Sequence, residues 1–266
     1  MRSRPQRSST EVWPLLADPR YPTPIAAELA DDVLERFLRY VQVDTQSDAD
    51  SATYPSTMKQ LDLSKMLAEE LREIGLEDVE LTEHGYVFAT LPGTAGPTVG
   101  LIAHLDTSSD ESGTNVKPQV IRNYDGGDIV LPGDKRKVLR PSENPILAER
   151  AGHDIVTTDG TTLLGADDKA GVAEIMGAVA FLAAHPEIEH APIRVGFTVD
   201  EEVGRGVDHF DIEDFGADFA YTLDGSEIGR IDDETFSASE VRIRVLGGRR
   251  SRSSSAGSRS TPQRSL

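Results

Sequence analysis

The sequence predicts an α/β protein, a layered mixed sheet flanked by helices, and two observations carry this prediction. Short apolar segments rich in β-branched and aromatic residues recur along the chain, which is typical of buried strands. Apolar residues at helical spacing lie before and between these segments. Because helices and strands alternate, a sheet covered by helices is the expected architecture. With 266 residues, 38% of them hydrophobic, the chain is large enough to bury a core.

Three helices and five strands are expected in order. The first two helices are amphipathic, over 33–41 and over 61–74, and the second ends near Gly75. A long apolar helix follows over roughly 169–184. The strand candidates are 86–91, 98–104, 155–158, 193–199 and 219–223. Functional residues are expected where these strands end.

Both ends of the chain differ in composition from the rest. Residues 1–27 are rich in Arg, Ser and Pro without periodicity, and we predict a disordered extension. Residues 249–266 hold five arginines, many serines and no acidic residue. A natural disordered tail and a frameshift both explain that segment. We favour the frameshift, because the change follows directly after a strand-like stretch, 241–246, that has no partner.

Charge and cysteine content narrow the classes of function. A net charge of -19 argues against nucleic acid as a partner, because polyanion binding needs a basic face. The absence of cysteine excludes disulfides, a thiol nucleophile and a thiolate zinc site, so any metal must be held by His, Asp and Glu. The N-terminal apolar pieces are too short for a signal peptide or membrane span, and a cytoplasmic location without a membrane partner is expected.

Four motifs place an acid or an imidazole at the end of a predicted strand. Each alone has an ordinary structural explanation as a turn, a helix cap or a solvated loop. Together they suit one crevice that holds two divalent cations, most simply zinc, with manganese or cobalt as alternatives. The motif residues are His104 with Asp106, Asp167 with Asp168, Asp200 with Glu201 and Glu202, and Asp224.

The residue types also suggest a division of roles. His104 and Asp106 point to the same side of an extended chain, so Asp106 can orient His104 as a carboxylate partner. Of Asp167 and Asp168, one can cap the following helix while the other projects into the crevice. Adjacent acids after a strand can supply one metal ligand and one general base.

These motifs resemble the peptidase T family, the tripeptide aminopeptidase branch of a larger group of two-zinc exopeptidases and amide hydrolases. The resemblance covers about 33–246. The four motifs above are shared across the larger group, whereas stretches at 106–108, 115–116, 124–129, 157–160 and 163–165 are specific to the branch.

The resemblance implies a role for each matched residue. His104 and Asp224 would bind one metal, Glu202 the other, and Asp167 would bridge the two. Glu201 would take a proton from a metal-bound water that attacks the first peptide bond of a tripeptide, and would deliver it to the leaving amine. Asp106 would orient His104. A cis peptide between Asp167 and Asp168 is also implied.

The resemblance further implies that part of the family pattern is missing. Residues 28–237 would form an incomplete catalytic domain, and 238–248 the first strand of a missing lid and dimerisation domain. The family's second metal-ligating His has no match, since the contexts of His153, His185, His190 and His209 do not fit. The chain as given is therefore expected to be nearly inactive and to lack the family's homodimer surface. Alternatives are a related N-acyl amino acid or dipeptide hydrolase, and a non-catalytic remnant of a disrupted gene.

Overall fold

The computed structural model describes residues 20–225 and 230–233. Residues 20–225 lie in the first of two units, Met1–Ile228, which carries every helix and strand described below. The second unit, Gly229–Leu266, is described only at 230–233, where Nε of Arg230 lies 2.9 Å from Oδ1 of Asp232. The predictions for 1–19, 238–248 and 249–266 lie outside the described residues.

Residues 20–225 form five helices, and local sequence explains where several begin and end. At the start of the first, Oγ1 of Thr23 accepts a hydrogen bond from the backbone N–H of Ala26, and a proline occupies the first turn. The second ends at Gly75, whose φ of 97° is left-handed and suits a residue without a Cβ. The helices are α1 (Pro24–Tyr40), α2 (Gln60–Ile74), α3 (Pro145–Ala148), α4 (Ala166–Ala184) and α5 (Ile212–Phe215).

The main sheet has five strands in the order β1-β2-β8-β3-β9. The β1–β2 and β2–β8 pairs are antiparallel, whereas β8–β3 and β3–β9 are parallel, so the sheet is mixed as predicted. Because β3, β8 and β9 run in the same direction, their carboxyl ends meet at one edge. The strands are β1 (Glu77–Leu81), β2 (Val87–Leu91), β3 (Val99–His104), β8 (Ile193–Thr198) and β9 (Phe219–Thr222).

Two small sheets stand apart from the main one. The strand predicted at 155–158 forms, but it pairs antiparallel with a short strand that the sequence pattern did not predict. A second antiparallel pair of short strands lies in the sequence between the two strands of the first pair. These sheets consist of β4 (Gln119–Ile121) with β7 (Ile155–Thr157), and β5 (Ile129–Val130) with β6 (Val138–Leu139).

Helices α2 and α4 pack against the main sheet and build the core. Helix α4 contacts β3, α2 contacts β1 and β2, and α1 packs on α4. A single apolar cluster joins these elements, and its fully buried members include Leu63, Leu67, Leu71, Ile175 and Met176. Burial of this apolar surface holds the layers together. In the described ranges, no helix combines the length and apolar character that crossing a membrane requires.

The start of α1 and the strand β1 differ most from the sequence-based expectation. Helix α1 begins at Pro24, so the last residues of the predicted disordered extension, 24–27, are helical. Strand β1, which was not predicted, occupies one edge of the main sheet and is charged and largely exposed. The strand therefore lacks the alternation of apolar and polar residues from which a strand is predicted.

Candidate metal centre

The carboxyl ends of the three parallel strands and the start of α4 bring the predicted site residues together. His104 ends β3, and the turn after β8 carries Glu201 and Glu202. Asp224 follows β9 by two residues, and Asp167 lies where α4 begins. Because parallel strands end at the same edge, residues far apart in sequence converge there.

His104 is the centre of this convergence and is only 3% exposed. Its Nε2 lies 2.9 Å from Oδ1 of Asp167, 3.8 Å from Oε2 of Glu201 and 4.0 Å from Oδ2 of Asp224. Its Nδ1 lies 3.3 Å from Oδ1 of Asp106 on the other side of the ring. The imidazole therefore has a carboxylate on one side and a cluster of carboxylates on the other.

Asp106 ties His104 to the loop that follows β8. Its side chain is fully buried. Oδ1 accepts the backbone N–H of Glu201 at 2.9 Å, and Oδ2 accepts that of Glu202 at 3.1 Å. The same carboxylate thus contacts the imidazole and fixes the backbone that carries two further site residues. This contact is the one expected of a residue that orients a metal-binding His.

The two acids at the start of α4 differ in burial. The peptide between Asp167 and Asp168 is cis, as the resemblance implied, and both residues depart from helical geometry. The Asp167 side chain is 72% exposed and faces Nε2 of His104. Asp168 is 3% exposed, and its Oδ2 accepts the backbone N–H of His104 at 3.1 Å. The expected helix cap is not formed, because the cap position is Gly165 and no side chain bonds there.

The pKa values of the site show an excess of negative charge. Burial, followed by the charges of Asp224 and Asp167, raises the pKa of Asp168 to about 8, against the opposing charge of His104. Burial and neighbouring acids also raise the pKa of Glu201 and of Asp224. Mutual repulsion of carboxylates is one physical cause of such shifts.

The pKa of Glu202 is raised in the same way, by burial first and by the charge of Asp167 second. The pKa of His104 responds in the opposite sense. Burial lowers it, but the adjacent Asp106 and the charges of Asp168 and Asp167 raise it to about 10. The cluster as a whole therefore favours positive charge at its centre.

The donor set fits divalent cations. Ligand atoms of His104, Asp167 and Glu202 lie within 4.8 Å of one another, and so do those of a second group, His104, Asp168 and Asp224. None of these carboxylates forms an ion pair with a lysine or arginine among the described residues. One imidazole with several carboxylates is a set that suits zinc, manganese or cobalt.

Two residues near the site were not assigned a role from sequence. Asp168 offers a ligand oxygen in the second group, and only its place beside Asp167 could have indicated this. Gly171 lies where a Cβ would come within 2.1 Å of the backbone oxygen of Leu223, next to Asp224. The other five histidines, all within the described residues, lie outside both groups.

Comparison with known proteins finds similar sequences among the peptidase T enzymes. No family model matches the sequence. Peptidase T of Geobacillus thermodenitrificans is 54% identical over 222 residues, which cover 82% of this chain and 54% of that protein. Peptidase T of Clostridium botulinum is 56% identical over 219 residues, covering 81% and 54%. This chain spans about half the length of these relatives.

Two solved structures resemble the fold. A tripeptidase from Staphylococcus aureus matches with a TM-score of 0.52 and 27% identity, covering 74% of this chain and 44% of that one. Aminopeptidase PepT from Bacillus cereus matches with a TM-score of 0.52 and 26% identity over the same shares. The chain is therefore a relative of the peptidase T enzymes over 81–82% of its own length.

Proposed function

We propose that the protein is a metal-dependent aminopeptidase that releases the N-terminal residue of tripeptides. The observation that carries the proposal is the meeting of His104, Asp167 and Glu202, whose ligand atoms lie within 4.8 Å of one another. Kinship with peptidase T and with a tripeptidase supports the choice of substrate.

The proposed ligands are those expected from sequence. His104 and Asp224 would hold one cation, Glu202 the other, and Asp167 would lie between them. Asp167 is preferred to Asp168 as the shared ligand, because Asp167 is exposed towards the cluster while an oxygen of Asp168 already accepts a backbone N–H. When bound, the cations would polarise the scissile carbonyl and acidify a water molecule.

Glu201 is the proposed general base. Its carboxylate lies at the edge of the cluster, 3.8 Å from Nε2 of His104, and its side chain is 52% exposed and open to a water or substrate. Burial and neighbouring acids raise its pKa, which brings a carboxylate closer to the value that proton transfer at neutral pH requires. Glu201 would take a proton from water and pass it to the leaving amine.

The 266-residue chain by itself is expected to bind cations but to hydrolyse peptides near background. Only one imidazole reaches the cluster among the described residues. We also propose a cytoplasmic location, since a chain without cysteine needs no oxidising compartment for disulfides.

Calorimetric titration with Zn²⁺ or Co²⁺ tests the proposal. The chain should show one strong site and one weaker site. His104→Gln should abolish the strong site, whereas the matched control His153→Gln should not change it, because His153 lies outside both ligand groups. Absence of any cation binding by the unmodified chain would refute the metal-dependent function.

Hydrolysis assays then test the substrate class. A tripeptide with a free amino terminus is compared with its N-acetylated form and with a dipeptide. Because hydrolysis is expected to be near background, residual rates are compared, and a residual rate for the free tripeptide above the other two supports an aminopeptidase. Preferential cleavage of the acetylated peptide or the dipeptide would favour the related hydrolases instead.

A further inference from the structure

Asp200 is a buried acid in the site region to which the proposed chemistry gives no role. It follows β8, immediately before Glu201, and is 0% exposed. A buried carboxylate is unfavourable unless hydrogen bonds compensate for its lost hydration. Its surroundings therefore show what holds it in place.

Three donors surround this carboxylate. The backbone N–H of Ser56 donates to Oδ2 at 2.6 Å, and the Ser56 hydroxyl donates to Oδ1 at 2.5 Å. Nε2 of Gln60 donates to Oδ1 at 2.7 Å, and Oε1 of the same side chain accepts the backbone N–H of Asp200 at 3.1 Å. The residue is thus anchored through its backbone as well as its side chain.

The backbone of Asp200 has a conformation that such an anchor must maintain. Its φ is 60°, in the left-handed region that residues other than glycine adopt at a cost, although Asp tolerates it better than most. Strained backbone of this kind persists where surrounding contacts determine it and is concentrated at functional sites. The left-handed residue turns the chain at the end of β8.

The turn so formed is held from two sides. On one side Asp200 is bound by Ser56 and Gln60. On the other, Asp106 accepts the N–H groups of the next two residues, Glu201 and Glu202. The direction of both glutamates is set between these two buried carboxylates.

The loop that supplies Ser56 also makes direct contact with the far end of the turn. Nη1 of Arg205 donates to the backbone oxygen of Thr53 at 3.0 Å, and the Tyr54 hydroxyl donates to the backbone oxygen of Arg205 at 3.2 Å. The backbone N–H of Arg205 in turn donates to the oxygen of Asp200 at 2.9 Å. The segment 53–60 therefore supports the turn along its length.

We propose that Asp200 is a positioning residue: its carboxylate, bound by Ser56 and Gln60, fixes the left-handed turn that aims Glu201 and Glu202 at the metal cluster. The inference deepens the proposed function, in which these glutamates act as base and ligand. Asp200 itself lies outside both groups of candidate ligands.

Amide hydrogen exchange of the metal-free chain tests the inference without reference to activity. In Asp200→Asn, the N–H groups of Glu201 and Glu202 should exchange about 10- to 100-fold faster, the effect of losing a hydrogen bond to a charged group. Those of Val195 and Phe197 in β8 should not change. Ser56→Ala should act in the same direction and serves if the first variant does not fold. Glu213→Gln, at an exposed acid in α5 outside this network, is the control.

Co²⁺ titration and the cobalt absorption spectrum give a second readout. Weaker Co²⁺ affinity and an altered spectrum in the folded variants support positioning, since a residue needed only for stability would leave both unchanged once the protein is folded. Unchanged exchange at Glu201 and Glu202, or equal acceleration throughout β8, would overturn the inference. If the unmodified chain binds no Co²⁺, the proposed function fails, and amide exchange still decides the role of Asp200.

Discussion

Substituting Gly171 by alanine should displace Asp224 from the metal centre. Gly171 lies in the first turns of α4, directly beside the end of β9. A Cβ at this position would lie 2.1 Å from the backbone oxygen of Leu223 and 2.5 Å from Oδ1 of Asp168. The nearer atom belongs to the backbone, so it cannot move aside as a flexible side chain can.

The size of the effect follows from this distance. Ordinary contact begins at 3.4 Å, so Leu223 must move by about 1.3 Å relative to α4. Overpacking of this kind costs about 1–3 kcal/mol, and the better helix propensity of alanine returns roughly 1 kcal/mol at most. The net loss is then about 2 kcal/mol at most, and the melting temperature should fall by up to about 8 °C for a domain of this size. Cation affinity should fall about 10- to 100-fold, as when a group supporting a ligand is removed.

Differential scanning calorimetry and Co²⁺ titration measure the two effects. Gly225→Ala is the matched control, because a Cβ there meets nothing within 4 Å although the residue is adjacent to Asp224. If Gly171→Ala binds Co²⁺ as tightly as the unmodified chain, the close approach of α4 and β9 does not position Asp224. If Gly225→Ala loses as much Co²⁺ affinity as Gly171→Ala, any methyl group added near Asp224 is enough to weaken cation binding.

Three further predictions concern stability. Asp106→Asn leaves one acceptor for the N–H groups of Glu201 and Glu202, and urea unfolding should show a loss of about 1–3 kcal/mol. Although burial opposes the shift, the hydrogen bond from the Lys59 side chain lowers the pKa of Asp44. Its stabilisation is therefore present above the unfolded pKa and is lost as pH falls, and Asp44→Asn should reduce the stability lost on acidification from about pH 5 to 3. Finally, Zn²⁺ at 100 times its dissociation constant should stabilise the chain by about 2.7 kcal/mol, and a chelator should remove this gain in thermal unfolding.

Two of the strands that carry the site, β3 and β8, could be predicted because they lie inside the sheet and are buried or half-buried along their length. Strand β8 lies between β2 and β3 and has an almost continuous apolar run, 193–199, that differs from the observed strand by one residue. Strand β3 matches its prediction equally well. Because functional residues were expected at the strand ends of an α/β sheet, the acids and the imidazole could be assigned to one crevice.

The elements that were missed carry weaker local signals. Strand β1 is held by pairing with β2, and its exposed glutamates hide the alternation that reveals a strand. Strand β4, the partner of the correctly predicted β7, has only three half-buried residues, which is too short for a recognisable strand pattern. The beginning of α1 was missed, although Thr23 and Pro24, a cap residue followed by proline in the first turn, are a recognisable start signal.

The contacts that position the site could not be obtained from the sequence. The bonds from Asp106 to the turn after β8 join residues 95 and 96 positions apart, and those from Asp200 to Gln60 join residues 140 apart. No periodicity encodes such pairings, because they depend on how the loops pack once the sheet has formed. Asp200 and Glu201 are adjacent acids after β8, and burial together with hydrogen bonding shows that Asp200 is a buried anchor whereas Glu201 is partly exposed.

The repulsion among the site acids links folding of this edge to cation binding. Burial and neighbouring acids hold the pKa values of Glu201, Glu202 and Asp224 above their usual range, so ionising all of them together is costly in the metal-free chain. A divalent cation removes this cost by replacing repulsion with attraction at the same positions. The arrangement that weakens the metal-free fold is thus also the source of cation affinity, and the stability of this edge should rise with cation concentration.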